Sequence, residues 1–269
     1  MGSDAVFVGS IPEFYDHYLV PLIFATYAEE LAARVAKLEP GSVLEIAAGT
    51  GVATRATVRA LPEAVEVVAT DLNQAMLDQA EAIGTARPVH WRQADALALP
   101  FAAASFDVVC CQFGAMFFPD KDRAFAQARR VLRPGGTWLF SVWDRIEHNE
   151  FADVVTTTLA GLYPDDPPQF LARTPHGYSD LETISHHLAT AGFENPPRCE
   201  TVSARSRAAS AEAVAIAYCQ GTPLRAEIEE RPGPTLAAAT AACTEAIAER
   251  FGHGPVDGKI QAHLVTVDR

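Results

Sequence analysis

Two glycines and two carboxylates stand at spacings that suit a nucleoside ligand. Gly49 and Gly51 follow the apolar run VLEI, and glycine lets the backbone approach a ligand closely. Asp71 comes 20 residues after Gly51, where an acidic side chain commonly accepts hydrogen bonds from ribose hydroxyls. Asp95 comes two residues after a later β-rich run at 89–93. Asp71 could instead cap a helix that starts near Asn73, and Asp95 could be a turn residue.

The glycine turn lacks the third glycine of a dinucleotide site. In GxGxxG that glycine lets the helix pack closely while its N-terminus faces a pyrophosphate. Counted from Gly49 the third position is Thr54, and counted from Ala47 it is Val52. No GKS or GKT follows, so a P-loop is absent as well. The turn is therefore predicted to hold a nucleoside ligand without phosphates.

Alternating β-rich and helical stretches predict the scaffold that would position these residues. The predicted strands are 42–47, 65–70, 89–93, 106–111, 137–143, 198–207 and 259–267. The predicted helices are 21–37, 54–60, 74–82, 122–132 and 179–191, followed by an alanine-rich helical insertion at about 210–251. The fold class is α/β: a Rossmann-like, doubly wound, mostly parallel seven-stranded sheet with helices on both faces. In such a sheet ligands bind at the carboxyl ends of the strands, where the strand order reverses.

Composition favours one globular domain. The chain has 269 residues, of which 49% are hydrophobic, enough to bury a sizeable core. We expect a single domain over 1–269, with a helical cap at 1–39, a cofactor-binding core at 40–145 and a C-terminal part at 146–269 that carries the insertion.

Charge and cysteine content exclude several partners. The net charge of −13 disfavours nucleic acid, whose binding depends on clustered lysine and arginine. The five cysteines are scattered without CxxC spacing, so we expect no metal. No run reaches the roughly 18 apolar residues of a membrane helix, and the first residues lack a signal peptide. We therefore expect a cytoplasmic protein without membrane insertion; the oligomeric state is open.

Four segments together resemble a known family, the class I S-adenosylmethionine-dependent methyltransferases. They are VLEIAAGTG, ATDLNQAML, QADALALPFAAASFDVVCCQFG and RVLRPGGTWLFSVW, within about residues 40–145. The order and spacing are similar to those of the small-molecule members, methyltransferase type 11, which include the ubiquinone and menaquinone C-methyltransferases. In that family a glycine commonly stands where this chain has Ala47, another small residue.

The resemblance implies a role for each end of the cofactor. The backbone at Ala47, Gly49 and Gly51 would line the methionine half, and Asp71 would bind both ribose hydroxyls. Glu45, inside the strand, would orient the glycine loop.

The adenine and the sulfonium would meet the other strand ends. Leu72 and Met76 would flank the adenine. The adenine edge would meet the Asp95 carboxylate and the Ala96 amide, with Leu97 beside them. Two residues after the fourth strand would lie beside the sulfonium, or else pack as core: Gln112 and Phe113.

The catalytic residues are less defined. In related enzymes an aromatic N-terminal segment covers the cofactor, which would place Tyr15 against the methionine carboxylate or the acceptor; packing onto the sheet is the alternative for Tyr15 and Tyr18. His17, His148 and His176 are candidate proton acceptors, although isolated histidines are more often surface or satisfied polar residues.

The predicted reaction is in-line displacement of a methyl group from S-adenosylmethionine onto a small molecule, which leaves S-adenosylhomocysteine. The acceptor pocket is expected between PEFYDHY at 12–18, FGAMFF at 113–118 and the helical insertion. A base is needed only if the acceptor must lose a proton, as a phenol or an activated carbon would. Two alternatives remain: a non-catalytic regulatory protein that binds the same cofactor, and an NAD(P)-dependent reductase, which would require the missing third glycine.

Overall fold

The computed structural model describes residues 11–269, with side chains from residue 13 onward. The cap predicted at 1–39 therefore lies partly outside the described residues. The strands are β1 (Ser42–Ile46), β2 (Glu66–Asp71), β3 (His90–Gln93), β4 (Phe106–Gln112), β5 (Leu132–Trp143), β6 (Arg198–Ala208) and β7 (Val256–Asp268). The longer helices are α2 (Ala25–Lys37), α3 (Val52–Ala60), α4 (Gln74–Ile83), α5 (Lys121–Val131), α6 (Glu150–Leu162), α8 (Leu181–Thr190), α9 (Ala211–Gln220) and α11 (Leu236–Phe251). Three short helices complete the set: α1 (Ile11–Phe14), α7 (Phe170–Arg173) and α10 (Leu224–Glu229).

The seven strands form one sheet in the order β3-β2-β1-β4-β5-β7-β6. β1 pairs in parallel with both β2 and β4, and β4 pairs in parallel with β5. The partners of β5 on β7 descend in number as β5 ascends, from Arg269 opposite Gly136 to Gln261 opposite Asp144, so β7 is antiparallel. The mostly parallel α/β fold is confirmed. Strand order reverses between β1 and β4, the place where an open sheet of this kind binds ligands.

β5 begins five residues before its predicted start. The run RPGG at 133–136 predicts a break between the helix and the strand. Instead, Leu132 already pairs with Phe106, and the next pair is Thr137 with Val108, so the intervening residues form an irregularity within the strand. Gly135 has φ of 79°, which glycine adopts without a steric penalty.

The N-terminal helix differs from its prediction, which begins at Pro21. Helical structure already starts at Ile11, and a π-helical stretch, Tyr15–Phe24, carries the chain into α2. Proline in a helix interior removes an N–H donor and crowds the preceding turn. Here Pro21 lies inside the wider π-helical stretch and is exposed, while its neighbours Leu22 and Ile23 are buried. A proline therefore does not mark the helix start in this chain.

α6 is absent from the predicted helices. Its residues 154–158 read VVTTT, a β-branched run that favours strands and weakens the helical pattern. The helix forms because Phe151, Val155 and Leu159 recur every four residues and are all buried.

The chain divides into two compact units. The sheet unit comprises 25–142, 178–202 and 262–269, and it contains α2 packed on α3 over a core that includes Val43, Val67 and Val108. The helical unit comprises 11–24, 143–177 and 203–261, and in it α11 packs against α6 and α9. The division into a cap, a core and a C-terminal part of one domain stays a prediction. Within the described part of the chain, no helix is long and apolar enough to cross a membrane.

Candidate functional site

The glycine turn has the left-handed backbone that its sequence predicts. Between the end of β1 and the start of α3, the φ angles are 56° at Ala47, 57° at Gly49 and 81° at Gly51. A Cβ at Gly51 would come 2.8 Å from the ring of Trp91, so this position requires glycine for space as well as for conformation. The turn presents backbone at the switch point of the sheet rather than side chains.

Asp71 ties this turn to the end of β2. Its Oδ2 accepts a hydrogen bond from the Gly49 N–H at 2.9 Å, and its Oδ1 accepts one from the Asn73 N–H at 2.8 Å. The residue is 7% exposed. Burial raises the pKa of this carboxyl, and the two backbone hydrogen bonds oppose that rise. The N-cap residue of α4 is Asn73 itself, so the Asp71 contact lies ahead of the helix and does not cap it.

Glu45 lies beneath the turn, fully inside the sheet. Its Oε2 accepts a hydrogen bond from the Thr54 hydroxyl at 2.6 Å, which links β1 to the first turns of α3. Burial raises the pKa of Glu45 to about 7, and the Thr54 hydroxyl lowers it against that effect. Thr54 occupies the position of the missing third glycine. Its hydroxyl makes a contact with Glu45 that a glycine could not make.

The end of β3 carries an exposed carboxylate. Asp95 precedes a 3₁₀ turn, Ala96–Ala98, and its Oδ1 accepts a hydrogen bond from the Leu97 N–H at 2.8 Å. Leu72, half-buried after β2, is held through its carbonyl by the Gln93 amide at 2.9 Å, while Met76 is buried in α4. Leu72 and Asp95 thus follow the carboxyl ends of the neighbouring strands β2 and β3, while Met76 lies in the helix after β2.

The end of β4 is strained and closely packed. Phe113 has φ of 53°, and its N–H donates to both the carbonyl and the hydroxyl of Ser141 on β5. Its ring meets the edge of the Tyr27 ring at 5.4 Å between centroids. A non-glycine residue held in the left-handed region costs energy, and such residues cluster at functional sites. Gln112 and Phe113 are both buried, as either a sulfonium-facing or a core position would be.

Ala47 and Gly114 leave no space between the ends of β1 and β4. A Cβ on Gly114 would lie 2.4 Å from the Cβ of Ala47 and 2.7 Å from Cys111 Sγ. The alanine that departs from the family pattern therefore depends on a glycine opposite it, which the sequence alone does not single out.

The Ala47 and Gly114 positions make a paired prediction. Ala47→Gly is expected to raise the free energy of unfolding by about 1 kcal/mol, because it removes a left-handed alanine. Gly114→Ala is expected to lower it by about 1–3 kcal/mol through overpacking. The double variant should be more stable than the sum of the two single effects predicts, because the Ala47 methyl that clashes with the new methyl at position 114 is gone. Urea denaturation measures these changes, and Ala104→Gly is the control, because Ala104 is also left-handed with φ of 55°. Ala104→Gly should raise the free energy of unfolding as much as Ala47→Gly does. It should leave the cost of Gly114→Ala unchanged.

The catalytic candidates lie in the helical unit. Tyr15 stacks on Phe24 at 5.1 Å between ring centroids, and Tyr18 stacks on Phe14 at 5.8 Å. His17 is exposed at the edge of Tyr18. Their predicted roles over the cofactor stay predictions.

The other two histidines both contact Asp144, a residue that no local sequence signal marks. His148 Nδ1 lies 2.7 Å from Asp144 Oδ2, and His176 Nδ1 lies 2.8 Å from the Asp144 carbonyl oxygen. Burial lowers the pKa of His176 to about 4, so this imidazole is neutral at physiological pH. Among residues 11–269, no group of three histidine, cysteine, aspartate or glutamate side chains is arranged to hold a metal ion.

The donors and acceptors of the sheet unit fit S-adenosylmethionine. Asp71 and Asp95 offer acceptors to a ribose diol and an exocyclic amine, and the left-handed turn offers backbone to an amino acid. α3 begins directly after Gly51, and Thr54 stands where a pyrophosphate site has its third glycine.

Comparison with known proteins places the chain in a family. A family described as "Methyltransferase domain" matches residues 43–136. The ubiquinone/menaquinone biosynthesis C-methyltransferase UbiE of Ralstonia pickettii is 35% identical over 173 residues, which cover 60% of this chain and 70% of the relative. The protein of the same name from Idiomarina loihiensis is 34% identical over 173 residues, covering 56% and 66%. The crystal structure of a SAM-dependent methyltransferase from Aquifex aeolicus is similar in fold, with a TM-score of 0.50, 17% identity and 71% and 88% coverage.

These similarities define a methyltransferase. The chain belongs to the class I S-adenosylmethionine-dependent methyltransferases, and S-adenosylmethionine is its methyl donor. The predicted family, enzyme class and cofactor are confirmed.

Proposed function

We propose that the enzyme transfers the methyl group of S-adenosylmethionine to a small-molecule acceptor with a partly apolar ring. The hydrogen bond from the Gly49 N–H to Asp71 carries the donor half of this proposal, because it fixes the glycine turn against a buried carboxylate that can also accept from a ribose diol. The names of two similar proteins, both C-methyltransferases of quinone biosynthesis, support a ring acceptor.

The binding roles follow from the strand ends. Asp71 accepts hydrogen bonds from the ribose hydroxyls, and Asp95 accepts one from the adenine amine, with the Ala96 amide as donor. Leu72 and Met76 enclose the adenine ring, with Leu97 beside its amine edge. The backbone of 47–51 receives the methionine half, while Gln112 and Phe113 border the sulfonium.

Chemistry at this site depends mainly on alignment. The bound cofactor supplies a methyl group on a sulfonium, which is already an excellent leaving group. The chain's residues orient both reactants and exclude water, and near-attack positioning of this kind is worth about 7–11 kcal/mol. The strained backbone at Ala47 and Phe113 suits that task, because the surrounding sheet fixes both positions in one conformation.

Incubation with methyl-labelled S-adenosylmethionine and a metabolite extract tests the proposal. We expect label in a low-molecular-weight product, and no label with the Asp71→Ala variant. Label found only in protein or RNA of the extract would contradict a small-molecule acceptor. S-adenosylhomocysteine at 100 times its dissociation constant should raise the free energy of unfolding by about 2.7 kcal/mol and the melting temperature with it. A melting temperature raised by NADH and not by S-adenosylhomocysteine would contradict the assignment of the binding residues.

A further inference from the structure

Two arginines attach a loop of the sheet unit to helix α5. This β3–β4 loop comprises residues 94–105. Arg130 Nη2 donates to the Leu99 carbonyl oxygen at 2.8 Å, and Nη1 donates to the Phe101 carbonyl oxygen at 2.7 Å. Gln127 Oε1 accepts from Nε and Nη2 of the same guanidinium at 3.1 and 2.9 Å, so the orientation of that group is fixed. A planar guanidinium holds its donors in a rigid fork that suits two neighbouring carbonyls.

The second arginine connects α5 to Asp95. Arg123 lies in the first turn of the helix, where its N–H donates to the Asp120 carboxylate at 2.9 Å. Its Nε donates to the Leu97 carbonyl oxygen at 2.8 Å, and the Leu97 N–H in turn donates to Asp95 Oδ1. Successive hydrogen bonds therefore run from the capped start of α5 to the carboxylate that is assigned to adenine.

One side of α5 makes these contacts, and another side fixes the helix on the sheet. Arg123, Gln127 and Arg130 stand at i, i+4 and i+7, which aligns their side chains along the helix. Phe125 is buried and packs on Phe140 of β5 at 5.2 Å between ring centroids. The arginines therefore project from a support that is itself held by the core.

The two ends of the β3–β4 loop are held differently. At the far end Leu99 is buried, and the Phe101 ring packs edge-on against β4 at 5.2 Å between ring centroids. At the near end Asp95 is exposed and Leu97 is half-buried. The hydrogen bond from Arg123 is exposed as well, so water would satisfy the Leu97 carbonyl equally. An arginine held there loses side-chain freedom, and the protein gains an ordered position for the carboxylate.

We propose that Arg123 and Arg130 are positioning residues for adenine recognition, and that they give the site its preference for adenine over a purine without the 6-amine. This inference rests on the adenine role of Asp95 in the proposed function. With Oδ1 on the Leu97 N–H, Oδ2 is the oxygen presented to the amine. Adenine has a donor at its amine and an acceptor at N1, which match the Asp95 carboxylate and the Ala96 N–H. Hypoxanthine has a carbonyl oxygen and an N1–H there, so like groups face each other. Both matches weaken steeply with misalignment, which is why the loop must be held.

Isothermal titration calorimetry with S-adenosylhomocysteine and its deaminated analogue, S-inosylhomocysteine, tests this role. Wild type should prefer the adenosyl ligand by about 100-fold, since a site built around a donor rejects an analogue that lacks it. Arg123→Ala should lower affinity for S-adenosylhomocysteine about tenfold, the effect of one misaligned hydrogen bond, and change affinity for the inosyl ligand little. The preference then falls to about tenfold. Arg123→Lys retains a donor for the Leu97 carbonyl and should restore part of the preference.

Two further variants complete the series. Lysine in Arg130→Lys can reach one of the two loop carbonyls, so we expect a preference between those of wild type and Arg123→Ala. Arg59→Ala is the control, because it removes an exposed arginine of α3 in the same unit, whose partner is Glu29. It should match wild type with both ligands. The melting temperature of each variant shows that it is folded.

The ratio of the two affinities separates positioning from stability. An equal loss of affinity for both ligands in Arg123→Ala would assign the arginine to loop stability and overturn the proposal, as would a wild-type preference in that variant. Asp95→Ala distinguishes this failure from that of the adenine site. If Asp95→Ala abolishes the preference while Arg123→Ala keeps it, only the positioning role is wrong. If Asp95→Ala keeps the preference, or wild type has none, the adenine role of Asp95 is wrong and the positioning role is wrong with it. Transfer of label to a small molecule is measured independently of these ratios.

Discussion

Asp71→Ala is expected to weaken S-adenosylmethionine binding at least about 100-fold, or about 2.7 kcal/mol. Two effects combine in this variant. The ribose hydroxyls lose a charged acceptor, and hydrogen bonds to charged groups contribute about 1.5–3 kcal/mol each. The Gly49 N–H also loses its partner, so the glycine turn is no longer fixed against β2. Isothermal titration calorimetry with S-adenosylhomocysteine measures the change without requiring an acceptor.

Two further variants separate these effects. Asp71→Asn keeps one carbonyl oxygen that can still accept from Gly49 or from a hydroxyl, so we expect an intermediate affinity. Asp78→Ala removes an exposed carboxylate of α4, whose contact is to Gln74, and should leave affinity unchanged. Wild-type affinity in Asp71→Ala would exclude the ribose role. A parallel loss of affinity and of melting temperature in both Asp71 variants would assign the residue to holding the turn alone.

Much of the sheet is predictable because its strands are buried on both faces. Such strands consist largely of consecutive apolar residues, as in β1 and β4, and a glycine comes within three residues of the end of each. The residues at the carboxyl ends, including Asp71 and Asp95, can therefore be assigned to one edge of the sheet by the strand pattern alone.

Other elements escape prediction because tertiary contacts override local signals. RPGG at 133–136 predicts a break between the helix and the strand. Leu132, which precedes it, nevertheless pairs with Phe106 of β4 and so belongs to β5. The VVTTT run favours a strand, yet helix α6 forms on the buried face that Phe151 and Leu159 supply. Local propensity is a small term, and burial of an apolar face outweighs it.

The contact between His148 and Asp144 shows the same limit for a cluster of polar side chains. The sequence offers five tyrosines and histidines as candidates for catalysis and no means of ranking them. His148 is distinguished by Asp144 and by Gln261, which is 117 residues from Asp144. A contact over that separation follows from the pairing of β5 with β7, which no local pattern encodes.

Glu45→Gln is expected to stabilise the protein at alkaline pH by up to about 3 kcal/mol. The pKa of Glu45 is raised by burial from 4.5 to about 7, so the folded state binds this proton more tightly than the unfolded state does. The stabilisation that the proton provides is complete below pH 4.5 and is lost as the pH rises to 7. A tenfold change in proton affinity corresponds to about 1.4 kcal/mol, and the rise of the pKa from 4.5 to about 7 sets the upper limit.

Urea denaturation at pH 4.5 and pH 8 measures this effect. Glutamine has nearly the same volume, retains an oxygen for the Thr54 hydroxyl and cannot ionise. The two proteins should be close in stability at pH 4.5, and the variant should be the more stable at pH 8. Comparison at equal pH cancels Asp71, whose pKa is also raised. Equal stability of the two proteins at both pH values would show that Glu45 ionises normally in the folded protein.

The same variant decides what Glu45 does for the glycine turn. Its side chain meets Thr54 of α3, while the N–H of Gly49 is held by Asp71. Since the turn has its own carboxylate, we expect Glu45→Gln to change affinity for S-adenosylhomocysteine less than about tenfold while Asp71→Ala changes it at least about 100-fold. A large loss of affinity in a variant that is more stable would mean that the ionised Glu45 orients the turn. Burying its charge would then be a cost in stability that the binding site requires.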